Sequence, residues 1–308
     1  MSNKHAYLIM AYNNWNQLRM LLKLLDDERN DIYLHIDKKA KNPPINMLKD
    51  SVNKSHFTVI DSHNVYWADY SQVEVELRLL EAASNSNHYK YYHLLSGMDL
   101  PLKTQDEIHD FFDSHNCEFI AMTPNGGSYS EKHICYYHPL VHNRYYRKHK
   151  VLKGIDRCIM YIQRILHLKR VYADNLRIST GWQWFSITDD FCRYVLSEEP
   201  FIKKMFSYTL DADEKFMGTM VNKLGIHDRL YYVTKPGEGN DTFQYACQRM
   251  INFDCPVPQP YTWGREDEEK DFEELMNCGY MFARKFDENV NKDIIGKIVK
   301  HISDKKEN

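Results

Sequence analysis

Several patterns are missing from this 308-residue chain, and each absence narrows what the protein can be. There is no G-x-G-x-x-G and no G-x-x-x-x-G-K-[ST], so the glycine-rich cradles of dinucleotide and P-loop sites are excluded. No H-E-x-x-H and no G-x-S-x-G occurs, which removes the motif-bearing metalloprotease and serine hydrolase readings. The seven cysteines (117, 135, 158, 192, 247, 255, 278) are odd in number and form no C-x-x-C pair. They predict reduced intracellular thiols rather than a disulfide frame or a zinc site. No apolar run approaches the roughly 18 residues of a membrane span, and the N-terminal run is too short for a signal sequence. The expectation is a cytoplasmic protein with at most peripheral contact at the inner face of a membrane. With 40 basic and 43 acidic side chains, net −3, a global basic field is also lacking, and no nucleic-acid partner is expected.

Aromatic residues, by contrast, are abundant: 22 Tyr, 14 Phe and 5 Trp, enough for both a core and a stacking wall for sugars or bases. The first part of the chain alternates strand and helix signals. Ala6–Met10 reads as a buried strand, Leu18, Leu21, Leu22 and Leu25 mark one face of a helix, and Ile32–Ile36 is a second strand ending at Asp37. Strands are also predicted at Phe57–Ile60, Tyr91–Leu95, Glu118–Met122 and Leu230–Val233. Ser71 with Glu74, and Thr104 with Glu107, predict capping boxes. This order predicts an α/β fold with a mostly parallel central sheet flanked by helices, whose ligand crevice lies beyond the carboxyl ends of the strands. Asp37, the Trp67–Ser71 turn and Asp99 fall at such ends.

Between His133 and Arg170 the composition turns basic and tyrosine-rich, and Ile159, Ile162 and Ile165 outline an amphipathic helix. A solvated face, an acceptor pocket and contact with anionic lipid all fit this stretch. No linker marks a boundary. The chain is therefore read as one domain: a first half (1–125), a second half (126–290) with a basic insertion at 133–170, and a final amphipathic helix and tail (291–308). Thr180–Phe216 draws particular attention. It opens on an aromatic strand with Trp182 and Trp184 and closes on Asp211, Asp213 and Glu214, a set suited to general-base chemistry, to a metal through D-x-D, or simply to a helix N-terminus.

Eight segments, AYLIMAYNNWNQLRMLL, LHIDKKA, VYWADYSQVEVELRLL, YYHLLSGMDLPLKTQDEI, GWQWFSITDDFCRYVL, DADEKFMGT, TWGREDEEK and FARKFDE, occur in one order across residues 6–288. In this the chain resembles the core-2/I-branching acetylglucosaminyltransferases, a family that includes the peptide O-xylosyltransferases and many bacterial enzymes. The resemblance implies a single GT-A-like catalytic domain, with residues 1–125 as its nucleotide-sugar-binding half and 126–290 as its acceptor half, and an inverting transfer of a sugar, N-acetylglucosamine foremost, from a UDP-sugar to a glycan or lipid-linked saccharide acceptor. It implies no cofactor and no metal, with Arg249 and Lys285 on the diphosphate instead. Glu214 aligns with the catalytic base. Ala11, Tyr12, Asp37, Trp67, Tyr70, Ser71 and Asp99 would line the donor pocket. Trp182, Trp184, Arg144 and Arg147 would face the acceptor. The alternatives are a xylosyl- or other hexosyltransferase, a metal-dependent enzyme using Asp211 and Asp213, and a non-catalytic glycan-binding protein.

Overall fold

In the computed structural model, which describes residues 3–125, 133–143, 145–170, 176–235, 237–256 and 258–307, strand β1 (His5–Ala11) forms the middle of a parallel sheet. It pairs with β2 (Asn30–Ile36) on one side and β4 (Tyr91–Ser96) on the other, and β2 pairs with β3 (His56–Val59). Beyond β4 lie β7 (Thr180–Thr188), antiparallel to it, and β6 (Phe119–Thr123), antiparallel to β7. The order is thus β3-β2-β1-β4-β7-β6. Side chains alternate across β1, so Ala6 and Leu8 enter one core and Tyr7 and Ile9 the other.

One core is covered by α3 (Tyr70–Ser86), α6 (Asp189–Ser197), α7 (Glu199–Phe206) and α8 (Phe216–Leu224). The other is covered by α1 (Trp15–Leu25), α4 (Gln105–Asp113), α10 (Glu268–Asn277) and α11 (Lys292–Glu307). Leu18, Leu21, Leu22 and Leu25 of α1 are buried as their spacing predicts, each contributing about 2 kcal/mol of transfer free energy. Further helices are α2 (Ile45–Lys49), α5 (Lys150–Ile165) and α9 (Asn240–Cys247). In α11, Ile294, Ile295, Ile298 and Ile302 are buried, so the tail helix belongs to the core. The cysteines are free thiols.

A second sheet, β5 (Asp99–Pro101), β9 (Phe282–Arg284) and β8 (Arg249–Ile251) in the order β5-β9-β8, was not anticipated, since three-residue strands carry no readable period. Two local expectations need correction. Leu230–Val233 contributes only an isolated bridge from Glu118 to Leu230; Tyr231 instead stacks on Phe119, ring centroids 4.6 Å apart. The cap of α3 is Asp69, whose Oδ2 accepts from Ser71 N–H at 3.1 Å, while Ser71 Oγ accepts from Tyr66 N–H at 2.9 Å. The Thr104–Glu107 capping box forms as expected.

Candidate active site

The carboxyl ends of β1, β2 and β4 deliver Ala11, Asp37 and Ser96 to one edge of the large sheet. In the β4–β7 register Tyr91 faces Thr188 and His93 faces Ser186, so the first residues of β7 project past the end of β4 at that same edge. There Gly181 N–H donates to the carbonyl of Glu214 at 2.8 Å, which fixes the acidic turn over the sheet. Only glycine fits at 181, because a Cβ would stand 1.8 Å from the carbonyl oxygen of Ala121 on β6. Three strand spacings separate Asp37 from Gly181, roughly 14 Å along the edge.

Glu214 is solvent-exposed at the mouth of this edge, with its two neighbours buried behind it. Loss of water around the recess, then the charges of Asp213 and Asp211, push its carboxyl up to about 7. The three acids are not equivalent. Burial works to raise Asp211, but His133 and the charge of Arg147 outweigh it and hold it at about 2. Arg147 Nη2 donates to Asp211 Oδ1 at 2.6 Å. Asp213 is raised to about 6 by burial and by Asp211. Its Oδ2 accepts from Gln72 Nε2 at 3.2 Å, and Gln72 lies 3.4 Å from Gln183 Oε1. Gln183 in turn donates to Glu76 Oε1 at 2.7 Å. Glu76 is fully buried and its pKa stands well above the ordinary carboxylate value, by desolvation first and then by Asp213. Behind the exposed base, then, lie two buried acids, Asp213 and Glu76, bridged by the amides of Gln72 and Gln183; of these four the sequence singled out Asp213 alone.

Residues 65–69 join this turn to the first strands. Ala68 carbonyl accepts from Asp211 N–H at 3.2 Å and from Arg147 Nη2 at 3.3 Å, and the Arg147 guanidinium lies 5.0 Å from the Trp67 ring centroid. Trp67 is 73% exposed at this rim. On the far side, Lys39 Nζ donates to Asp37 Oδ2 at 2.7 Å and to the Val65 carbonyl, and lies 4.5 Å from the Tyr66 ring. An open recess of about 310 Å³ begins here, lined by Tyr12, Trp15, Asp37 and Lys39 among others. Ala11, just before Tyr12, is buried, its Cβ packed so closely on Gly97 that an added methyl there would come within 3.2 Å.

The cations divide differently from the expectation. Arg249 is not at the recess. Its guanidinium is buried between the sheets, donating to Phe185 O at 2.6 Å, Leu94 O at 3.2 Å, Ser186 Oγ at 3.1 Å and the Cys247 carbonyl. With its terminal nitrogens committed to three backbone carbonyls and Ser186 Oγ, and only the buried Nε without a partner among the described residues, it binds the two sheets together rather than facing a diphosphate. Lys285 is half-buried beside Arg284 and Arg265, and burial, then Arg284, lowers its pKa. Among the described residues its ammonium has no hydrogen-bond acceptor. Its segment reaches the sheet edge because Phe286 N–H donates to Met98 O at 2.9 Å and Asn14 Nδ2 donates to Asp287 Oδ1 at 3.0 Å.

Asp99 and Trp184 serve the neighbouring Arg284. Its Nη1 donates to Asp99 Oδ1 at 2.6 Å and to Ser96 Oγ, and its guanidinium lies 4.3 Å from the Trp184 ring centroid. Trp184 is buried and Trp182 packs on Phe253 and Phe243, so both act as internal packing rather than as open stacking faces. Tyr70 is likewise in the core. Ser71, engaged with Tyr66 N–H, shapes the 65–69 segment. Arg144 lies outside the described residues. Arg284 was legible only as the neighbour of Lys285 in FARKFD.

The profile of the Core-2/I-Branching enzyme family matches residues 5–232. The chain belongs to that family. Among curated proteins, family member and relative alike sit at low identity: xylosyltransferase 2 of Rattus norvegicus is 21% identical over 306 residues, covering 94% of this chain and 32% of the relative. Xylosyltransferase 1 of Homo sapiens is 21% identical over 311 residues, covering 95% of this chain and 30% of the relative. This family member thus spans about a third of the length of those proteins. Among solved structures, the apo form of mouse xyloside xylosyltransferase 1 aligns over 91% of this chain and 96% of its own at 11% identity and a TM-score of 0.34, a remote likeness.

Proposed function

We propose that this Core-2/I-branching family member is an inverting glycosyltransferase that moves a sugar from a UDP-sugar to a hydroxyl of a glycan or lipid-linked saccharide. The observation that carries this is Glu214: an exposed carboxylate with a pKa raised to about 7, fixed by Gly181 at the edge where the parallel strands end. Inversion needs a base on the face opposite the leaving diphosphate, and a carboxylate poised near neutrality can accept the acceptor's proton as its oxygen attacks. The recess over Tyr12, Asp37 and Lys39 suits the nucleoside.

The charge that develops on the departing UDP requires fixed cations or a metal. Lys285, whose ammonium meets no acceptor among the described residues, and its neighbour Arg265 fit the cationic role; Arg249 does not. A metal on D-x-D is the weaker reading, because Asp211 is already paired with Arg147 and Asp213 Oδ2 with Gln72.

N-acetylglucosamine is the donor sugar proposed here, and the names of the xylosyltransferase relatives support xylose as the alternative. The test is a thermal-shift and donor-hydrolysis screen of UDP-sugars with and without EDTA. Stabilisation by UDP-N-acetylglucosamine or UDP-xylose that survives EDTA supports the reading. Absence of any UDP-sugar response, or a response that EDTA abolishes, defeats it or its metal-free form respectively.

A further inference from the structure

Helix α5 is turned inside out. Its buried side chains are the polar Asp156 and Gln163. Asp156 Oδ2 lies 2.7 Å from His138 Nδ1 and accepts from Tyr146 Oη at 3.0 Å; Gln163 accepts from Tyr137 N–H at 2.9 Å and donates to Tyr137 O at 2.8 Å. The helix is thus held to the protein through its polar side.

Its apolar side faces outward. Val151, Ile155, Ile162 and Ile165 follow one another at helical spacing (i, i+4, i+11, i+14), and they are between 46% and 74% exposed. Leu166 and Leu168 extend the same surface. This stripe has no apolar partner among the described residues. Burying polar groups while exposing aliphatic ones costs free energy in water, so the arrangement calls for an apolar environment on that side.

Charge identifies the environment. Lys150, Lys153, Arg157 and Arg164 (i, i+3, i+7, i+14) make a second, basic stripe beside the apolar one. Lys148 and Lys169 flank the helix, and the one acid between residues 145 and 170 is the buried Asp156. A second copy docking by twofold symmetry would bring these like charges together. An anionic lipid surface would accept both stripes at once, aliphatic side chains below and ammonium or guanidinium groups at headgroup level. No helix among the described residues is long and apolar enough to cross a membrane. At 16 residues, about 24 Å, α5 is suited to lying in the interface.

We infer that α5 docks this protein onto an anionic lipid surface, with the Val151–Ile155–Ile162–Ile165 stripe inserted and the Lys150–Lys153–Arg157–Arg164 stripe on the headgroups. Arg147, three residues before α5, holds Asp211, so docking brings the rim of the Glu214 site close to the lipid. On the transferase reading, this favours a lipid-linked acceptor; the docking itself is independent of that reading.

The test is co-sedimentation of the full chain with phosphatidylcholine vesicles, with and without phosphatidylglycerol, at low and high salt. Binding should require phosphatidylglycerol and weaken with salt. It should fall at least tenfold in Ile155→Glu/Ile162→Glu and in Lys153→Glu/Arg157→Glu, whose melting temperatures should match wild type because the substituted groups lie at or near the surface. Wild-type protein that fails to sediment with anionic vesicles at low salt overturns the inference, whatever the variants do. So does a wild-type dimer that Ile155→Glu/Ile162→Glu converts to monomer, since a second copy then occupies the stripe. Neither readout involves transferase activity, so failure of the docking and failure of the functional reading are separable.

Discussion

Gly181 and Glu214 are joined by a single backbone hydrogen bond of 2.8 Å, from the start of β7 to the middle of the acidic turn. Through it a sheet with an apolar core sets the position of a carboxylate. The bond exists because Gly181 can lie against the Ala121 carbonyl, where any side chain would collide.

Gly181→Ala should therefore cost about 3 kcal/mol of stability or more, as an overpacked site with no flexible neighbour to yield. Urea unfolding would measure it. Where the variant still folds, turnover should drop more than donor affinity; wild-type stability would show that β6 and β7 can part without cost.

Glu214→Gln should lower kcat by about 100-fold while leaving UDP affinity close to wild type, the pattern of a lost base. Since the carboxyl is raised to about 7 and the base acts deprotonated, kcat/KM should decline as pH falls below about 7. A profile flat down to about pH 5 would assign the base elsewhere.

Lys285→Ala should weaken UDP at least tenfold and uridine little, with an unchanged melting temperature, because the ammonium makes no hydrogen bond within the described protein. Arg249→Met should behave in the opposite sense. It strands buried acceptors on Leu94, Phe185 and Cys247, and should cost about 3 kcal/mol or more. Calorimetry with both ligands, beside thermal melts, separates the two; weakened UDP binding in a fully stable Arg249→Met protein would return that arginine to the site.

Glu76 gives a pH signature. Its folded-state pKa is raised by burial, so its stabilising contribution is fully present below the unfolded value of about 4.5 and is lost as pH rises toward the folded value. Glu76→Gln keeps the neutral shape and should flatten the decline of melting temperature above about pH 4.5. Equal slopes in the two proteins would show that Glu76 is ionised in the fold.

What the sequence determined by itself was periodic and local. The leucine spacing of α1, the alternation of β1, the Thr104–Glu107 box and the order of strands and helices all follow from side-chain pattern, and they suffice for an α/β sheet with a carboxyl-end crevice. The acidic turn was legible because three carboxylates in four residues need an explanation. The distribution of roles was not. Arg249 and Lys285 look alike in sequence, and only the tertiary structure decides that one guanidinium is spent largely on carbonyls while the other cation meets no acceptor among the described residues. Trp182 and Trp184 read equally as stacking faces or as packing until Arg284, Phe243 and Phe253 close over them. Amphipathicity gave α5 two faces, but it could not say which face points outward. That was decided by Asp156 and Gln163, which find their partners on His138, Tyr146 and Tyr137 and so leave the isoleucines to whatever lies outside.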